Sequence, residues 1–197
     1  MNSLKQKFLI IKLSSIGDIV HALPFLRTLR ANRPNAYIAW IIEESFQDLI
    51  KCNPDLDEVI PVRTKYWRKN LNTKSWNEIC QTRKLLKEHR FDWTFDLQGL
   101  IKTGFIARMT GAPNRVGFHR DNCREKINAW FNNKHSQYLS AGSHIVDRCL
   151  SQLSVLGDFH SQVEFSIPIR AEDEHISEAF MKENNKLREK QIGRAHV

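Results

Sequence analysis

The stretch Phe8 to Leu13, F-L-I-I-K-L, is nearly continuous in apolar residues, rich in isoleucine, and stops at Ser14-Ser15-Ile16-Gly17-Asp18. Such a run suits a parallel strand, which is buried on both faces because helices lie above and below it. The next segment has a different period. Ile19, Leu23, Leu26 and Leu29 fall on one side of a helix that ends near Asn32-Arg33-Pro34. The same succession recurs along the chain. Strands are expected at Ala36–Ile42, Glu58–Val62 and Phe91–Leu97, with a short one at Arg115–Phe118. Between them lie helices at Ser45–Lys51, Ser75–Glu88 (Ile79, Leu85 and Leu86 inward) and Leu100–Thr110. Later helices are expected at 125–131 and 143–156, a strand at Glu164–Ile169 and a charged helix at Ala171–Lys190. Alternating elements joined by short connections imply an α/β fold, a Rossmann-like parallel sheet with helices on both faces.

A length of 197 residues fits one domain with a short extension. No apolar run approaches the roughly 20 residues of a membrane-spanning helix, so a soluble cytoplasmic protein is expected. Cys52, Cys80, Cys123 and Cys149 are widely spaced and form no C-x-x-C pair, which gives no support to a zinc site or a disulfide framework.

The charge is unevenly placed. The chain carries a formal net charge of +8, yet residues 61–90 alone hold nine basic groups against two acidic ones. A concentrated basic segment fits an anionic partner such as phosphate, nucleic acid or an acidic lipid surface. Arg83 to Arg90 reads equally as a solvated helix face. Arg63 to Lys69 reads as a loop in which cations interleave with Tyr66 and Trp67.

In sheets of this kind ligands bind beyond the carboxyl ends of the strands. That rule selects Ser14–Asp18, Arg63–Lys69, Asp96–Lys102 and Gly117–Arg124. The first loop contains neither G-x-G-x-x-G nor G-x-x-x-x-G-K-[ST], which leaves out a dinucleotide fingerprint and a Walker loop. Asp18 has two readings, the N-cap of the following helix or a general base aimed into the crevice. His21, one turn on, is either a second polar group or a partly buried histidine. Asp96 and Gln98 could bind hydroxyls, Gly99 could let backbone approach a ligand, and Lys102 could bind an anion; a capped strand-to-helix turn is the alternative. Glu43-Glu44 either caps the next helix or binds a sugar.

These residues fall in blocks that resemble glycosyltransferase family 9, the lipopolysaccharide heptosyltransferases. The blocks are I-I-K-L-S-S-I-G-D-I-V-H-A-L-P (Ile10 to Pro24), W-I-I-E-E-S-F (Trp40 to Phe46) and V-I-P-V-R-T-K-Y-W-R-K (Val59 to Lys69). F-D-W-T-F-D-L-Q-G-L-I-K-T (Phe91 to Thr103), Arg124-Glu125 and H-I-V-D-R (His144 to Arg148) come next, in order. The Trp-Arg-Lys element points to type I members. The resemblance implies the N-terminal, acceptor-binding domain of an inverting GT-B enzyme. Such an enzyme transfers L-glycero-D-manno-heptose from ADP-heptose to Kdo of Kdo-lipid A in inner-core biosynthesis. It implies Asp18 as the general base, no cofactor and no required metal. Ser15, Gly17, Lys65, Arg68, Lys69, Asp96, Gln98, Gly99, Lys102 and Arg124 are the implied acceptor-binding positions. It also implies attachment to the anionic inner face of the bacterial inner membrane, with no nucleic-acid partner.

The resemblance covers about residues 7–150, whereas a complete GT-B enzyme has two domains. The expected division is an acceptor-binding domain over 1–162, the start of a crossover to a donor domain over 163–190, and an artefactual tail over 191–197. That tail, Q-I-G-R-A-H-V, back-translates to the read-through of a common sequencing adapter. A fragment of this kind is expected to be inactive alone. Two other readings stay open: a basic nucleic-acid-binding α/β module, supported by charge alone, and a non-catalytic acceptor-binding domain.

Overall fold

The computed structural model describes residues 5–157, 159–161, 163–167 and 171–183. The chain divides into two compact units, Met1–Ile167 and Pro168–Val197. The first is built on six strands, β1 (Lys7–Ile11), β2 (Tyr37–Glu43), β3 (Glu58–Val62), β4 (Trp93–Asp96), β5 (Asn114–Gly117) and β6 (Lys134–His135). They pair in the order β3-β2-β1-β4-β5-β6, and every pairing is parallel. β6, only two residues long, had no hydrophobic signature in the sequence.

The strand order reverses at β1. After β1 the chain passes to β2 and β3 on one side, and after β3 it returns to β4 on the other. Two neighbouring connections that leave in opposite directions open a crevice between their strand ends. That crevice lies beyond Ile11 and Asp96, which are register partners.

Alternation along the buried strands splits the core into two layers. Leu9, Ile11, Ala39 and Ile41 pack with Leu86, Ile106 and Ala107 on one face. Phe8, Ile10, Ile38, Trp40 and Ile42 pack with Phe25, Leu26, Cys149 and Leu153 on the other. The helices, in chain order, are α1 (Ile16–Val20), α2 (Leu23–Asn32), α3 (Thr64–Lys69), α4 (Thr73–His89), α5 (Ile101–Thr110) and α6 (Ile145–Ser151). Leu86 of α4 and Ile106 and Ala107 of α5 cover the first face; α2 and α6 supply Phe25, Leu26 and Cys149 to the second.

Several elements differ from expectation. The first helix is two helices, because Pro24 sits in the first turn of α2 and brings no N–H with it. Ser45–Lys51 is a 3₁₀ turn at Glu44–Leu49, and 125–131 is another at Lys126–Phe131. The expected 143–156 helix is α6 followed by a 3₁₀ segment, Gln152–Leu156. Arg63–Lys69 is not a loop but contains α3. Leu85 is exposed, since α4 packs through Ser75, Ile79 and Leu86. Residues 163–167 form no strand, and the remainder of Glu164–Ile169 lies outside the described residues.

In the second unit, α7 spans Ala171–Glu183. The rest of the helix expected to Lys190 and the 191–197 segment lie outside the described residues.

Candidate active site at the strand-order reversal

The loop after β1 is held from below. Gln98 accepts the Leu13 N–H at 2.8 Å and donates to the Ser14 carbonyl at 2.7 Å, so one buried amide bonds two backbone groups of the loop. Ser15 is the N-cap of α1 and Asp18 is its third residue, which corrects the reading of Asp18 as N-cap. The Asp18 carboxylate reaches back to the Ser15 N–H at 3.2 Å and lies 3.4 Å from the Ser15 hydroxyl. This bond fixes the side chain without removing it from solvent; its side chain keeps 27% exposure. Gly17 is exposed, with open space where a Cβ would stand, so no steric demand fixes glycine there.

Asp18 faces a cleft of about 300 Å3 lined also by Lys12, His21, Gln98, Asn122, Arg124 and Arg148. The Arg124 guanidinium is 3.7 Å from the Asp18 carboxylate and largely exposed. The Lys12 ammonium is buried and donates to the Leu97 carbonyl at 2.7 Å, on the cleft floor. The Arg148 Nε is buried with no hydrogen-bond partner among the described residues. The His21 and His144 rings meet edge to face with centroids 5.6 Å apart. One carboxylate among several cations is an arrangement able to take a proton from a hydroxyl on an anionic ligand.

Lys12 was not selected from the sequence. Its signal was there, as the one cation interrupting the apolar run F-L-I-I-K-L. A lysine is almost never fully buried unless its ammonium is paired.

Three expected acceptor-binding residues, Asp96, Gln98 and Gly99, are buried at the base of the crevice. Asp96 has no exposed surface. Its carboxylate accepts from the backbone N–H groups of Gln98 (3.0 Å) and Gly99 (3.1 Å), the Thr103 hydroxyl (3.0 Å) and the Asn128 amide (2.5 Å). Burial holds its carboxyl above the usual carboxylate range, against the opposing pull of those four donors. Gly99 has φ +69°, and a Cβ there would stand 3.1 Å from the Phe118 ring and 3.5 Å from the Arg124 backbone nitrogen. Its carbonyl accepts the Glu125 N–H at 3.0 Å. The segment carrying Arg124 thus packs closely on Gly99. Gln98, likewise, spends its amide on the loop.

The remaining cations form a second cluster. Glu43, at the end of β2, is buried and accepts from the Thr64 hydroxyl at 2.6 Å and the Lys65 N–H at 3.1 Å. It therefore caps α3, which presents Lys65, Arg68 and Lys69 as exposed groups. Lys102, half-buried at the start of α5, senses Glu43, Arg68 and Lys65. Burial, with Arg68 and Lys65 acting against Glu43, keeps its ammonium below the usual lysine range. Arg83 to Arg90 lies elsewhere, since α4 runs back toward the amino edge, where the Lys7 ammonium meets the His89 carbonyl at 3.0 Å. Among the described residues no group of three His, Cys, Asp or Glu side chains could hold a metal ion. The Cys123 and Cys149 thiols are buried, which pushes both up to about 11.

A parallel Rossmann-like sheet with a carboxylate and cations around the crevice at its reversal point defines a ligand-binding domain of the doubly wound α/β class. The model for glycosyltransferase family 9 (heptosyltransferase) matches residues 79–193, more than half of the chain. The chain belongs to that family. It is 34% identical over 143 residues to lipopolysaccharide heptosyltransferase 1 of Pseudomonas aeruginosa, covering 72% of this chain and 40% of that protein. With the Escherichia coli protein of the same name, identity is 28% over 144 residues, covering 72% and 44%. A solved structure of Escherichia coli heptosyltransferase WaaC with ADP superposes with a TM-score of 0.73 at 25% identity, over 81% of this chain and 50% of that one. A family 9 glycosyltransferase from Veillonella parvula gives a TM-score of 0.76 at 22% identity, over 92% and 51%, which shows the fold. The chain thus spans less than half the length of the curated relatives it matches.

Proposed function

We propose that this chain supplies the acceptor-binding half of a lipopolysaccharide heptosyltransferase, in which Asp18 is the general base. The observation that carries the reading is the Asp18 carboxylate, held by Ser15 in a cleft with Lys12 on its floor and Arg124 and Arg148 in its lining. Family membership supports the reaction class, and the relatives' names support heptose as the sugar. The acceptor is Kdo-bearing lipid A. As its hydroxyl attacks the anomeric carbon of ADP-heptose, Asp18 takes the proton and ADP leaves from the opposite face. Arg124 and Arg148 suit a Kdo carboxylate, because a guanidinium offers parallel donors to both oxygens. Lys65, Arg68, Lys69 and Lys102 suit acceptor phosphates further out. Ser15 and Gly17 shape the loop, while Asp96, Gln98 and Gly99 act as positioning residues beneath it. The donor is assigned to a second Rossmann-like domain, and the protein to the inner membrane's cytoplasmic face.

The test is heptose transfer by a form spanning the full length of the relatives. Asp18→Asn keeps the shape and the Ser15 contact but cannot accept the proton. It is expected to lower kcat about 10²–10⁴-fold with acceptor binding nearly unchanged. Transfer near the parental rate would remove Asp18 from the role. Loss of acceptor binding without a kcat effect would make it a binding group.

A further inference from the structure

The corner between α3 and α4 carries large apolar side chains in a place where nothing among the described residues covers them. Leu71 is 94% exposed and Trp76 67% exposed. Between Arg63 and Asn77 the sequence has five basic residues and no acidic one. Arg63 pairs with Glu78. Lys65, Arg68, Lys69 and Lys74 form no ion pair among the described residues. The corner also has a fixed position relative to the cleft. It comes after β3, so it sits at the carboxyl edge of the sheet, on the same rim as the β1 and β4 loops.

An exposed leucine and tryptophan ringed by unpaired cations are poorly suited to a second copy of the same basic surface, which would bring like charges together. They suit the boundary between headgroups and acyl chains of an anionic bilayer. There tryptophan sits with its ring in the apolar layer and its N–H in the wet one, while lysine and arginine meet the headgroups.

We propose that the α3–α4 corner is a bilayer anchor, with Leu71 and Trp76 inserted and Arg68, Lys69 and Lys74 on anionic headgroups. The anchor rests on the proposed function and deepens it, giving the acceptor's membrane a contact surface on the cleft rim, though its test involves no sugar transfer.

The experiment is co-sedimentation of the 197-residue chain with vesicles of phosphatidylcholine and phosphatidylglycerol, and of phosphatidylcholine alone. Binding is expected to the anionic vesicles and to be weakened strongly on the neutral ones. Leu71→Ser and Trp76→Ser are each expected to lower the partition coefficient about tenfold. Both side chains are exposed, so circular dichroism should report an unchanged fold. Bromine-labelled acyl chains should quench part of the tryptophan emission, and Trp76→Phe should remove that quenched part. Equal binding of the Leu71→Ser/Trp76→Ser double variant and the parent would overturn the proposal. So would a concentration-dependent dimer that the double variant abolishes, since a second copy would then cover the corner. Vesicle binding is read without sugar transfer, so loss of transfer in a form spanning the full length of the relatives would count against the catalytic reading alone, and loss of vesicle binding against the anchor alone.

Discussion

Asp96 and Asp18 look alike in the sequence, each closing a strand-to-helix connection at the same edge, yet they have opposite environments. The difference is depth. Asp96 is still within the sheet, paired with Ile11, so four donors surround it. Asp18 lies past the end of β1 on a short helix and meets solvent. Asp96→Asn keeps the oxygen that accepts from Gln98 and Gly99 but turns an NH2 toward the Asn128 amide. A donor facing a donor in a buried site is expected to cost about 1–3 kcal/mol, read as a lower urea midpoint. The variant should also change the pH dependence. Burial raises the folded-state pKa of Asp96, so the folded chain holds a proton that the unfolded chain releases. Its contribution is therefore greatest below the unfolded value of about 3.9 and is lost as pH rises toward the folded one. Stability of the parent minus that of Asp96→Asn should fall over that window; a difference constant with pH would refute the direction. The place of Asp18 at the crevice was legible because its loop follows a recognisable strand. The burial of Asp96 was not, because its partner Asn128 is distant in sequence.

Helices form here partly on contacts that no local pattern records. α3 is short and basic, and its first turn is capped by Glu43 from the end of β2, 21 residues before the Thr64 hydroxyl it accepts from. Without that carboxylate the Arg63–Lys69 segment reads as a loop. α4 shows the complementary case. Its inward face runs through Ser75, Ile79 and Leu86, and Leu85, apolar by type, lies outside that face by its angle around the helix. The 3₁₀ turn Lys126–Phe131 packs on α5 at Gly104, where a Cβ would stand 2.8 Å from the Asn128 amide nitrogen and 2.9 Å from the Phe131 ring. Gly104→Ala must push these two elements apart. That shift strains the Asn128 bonds to Asp96 (2.5 Å) and to the Leu100 carbonyl (2.7 Å) as well as the packing. A loss of about 1–3 kcal/mol is expected in denaturant unfolding, typical of overpacking a filled site. A gain in stability, as at an exposed helical glycine, would mean that the two elements are not held together as described.

At the scale of the first unit, strand order decides which charges matter. Alternating elements in the sequence were enough to read a parallel, doubly covered sheet, but the basic segment at 61–90 looked like one feature. The fold separates it. Lys65, Arg68 and Lys69 lie with α3 at the carboxyl edge, whereas Lys84 and Lys87 lie toward the end of α4, which returns to the amino edge. An opposite edge is beyond the screening length of about 10 Å at 0.1 M salt, so charges there contribute little to a ligand in the crevice. Binding of a phosphorylated, Kdo-bearing acceptor analogue should therefore weaken as sodium chloride is raised, and position should govern the slope. Replacing both Arg68 and Lys69 by glutamine should flatten the salt dependence and lower low-salt affinity about tenfold, the scale of two partly solvated charge-assisted contacts. Replacing both Lys84 and Lys87 by glutamine removes the same net charge and should leave affinity within about twofold. Calorimetric titrations of the two double variants at matched salt separate the cases. If both lose affinity equally, net charge is what attracts the ligand and the crevice has no special claim on it. If only the α3 pair matters, the anion is held where β3 delivers the chain, beside the carboxylate held after β1.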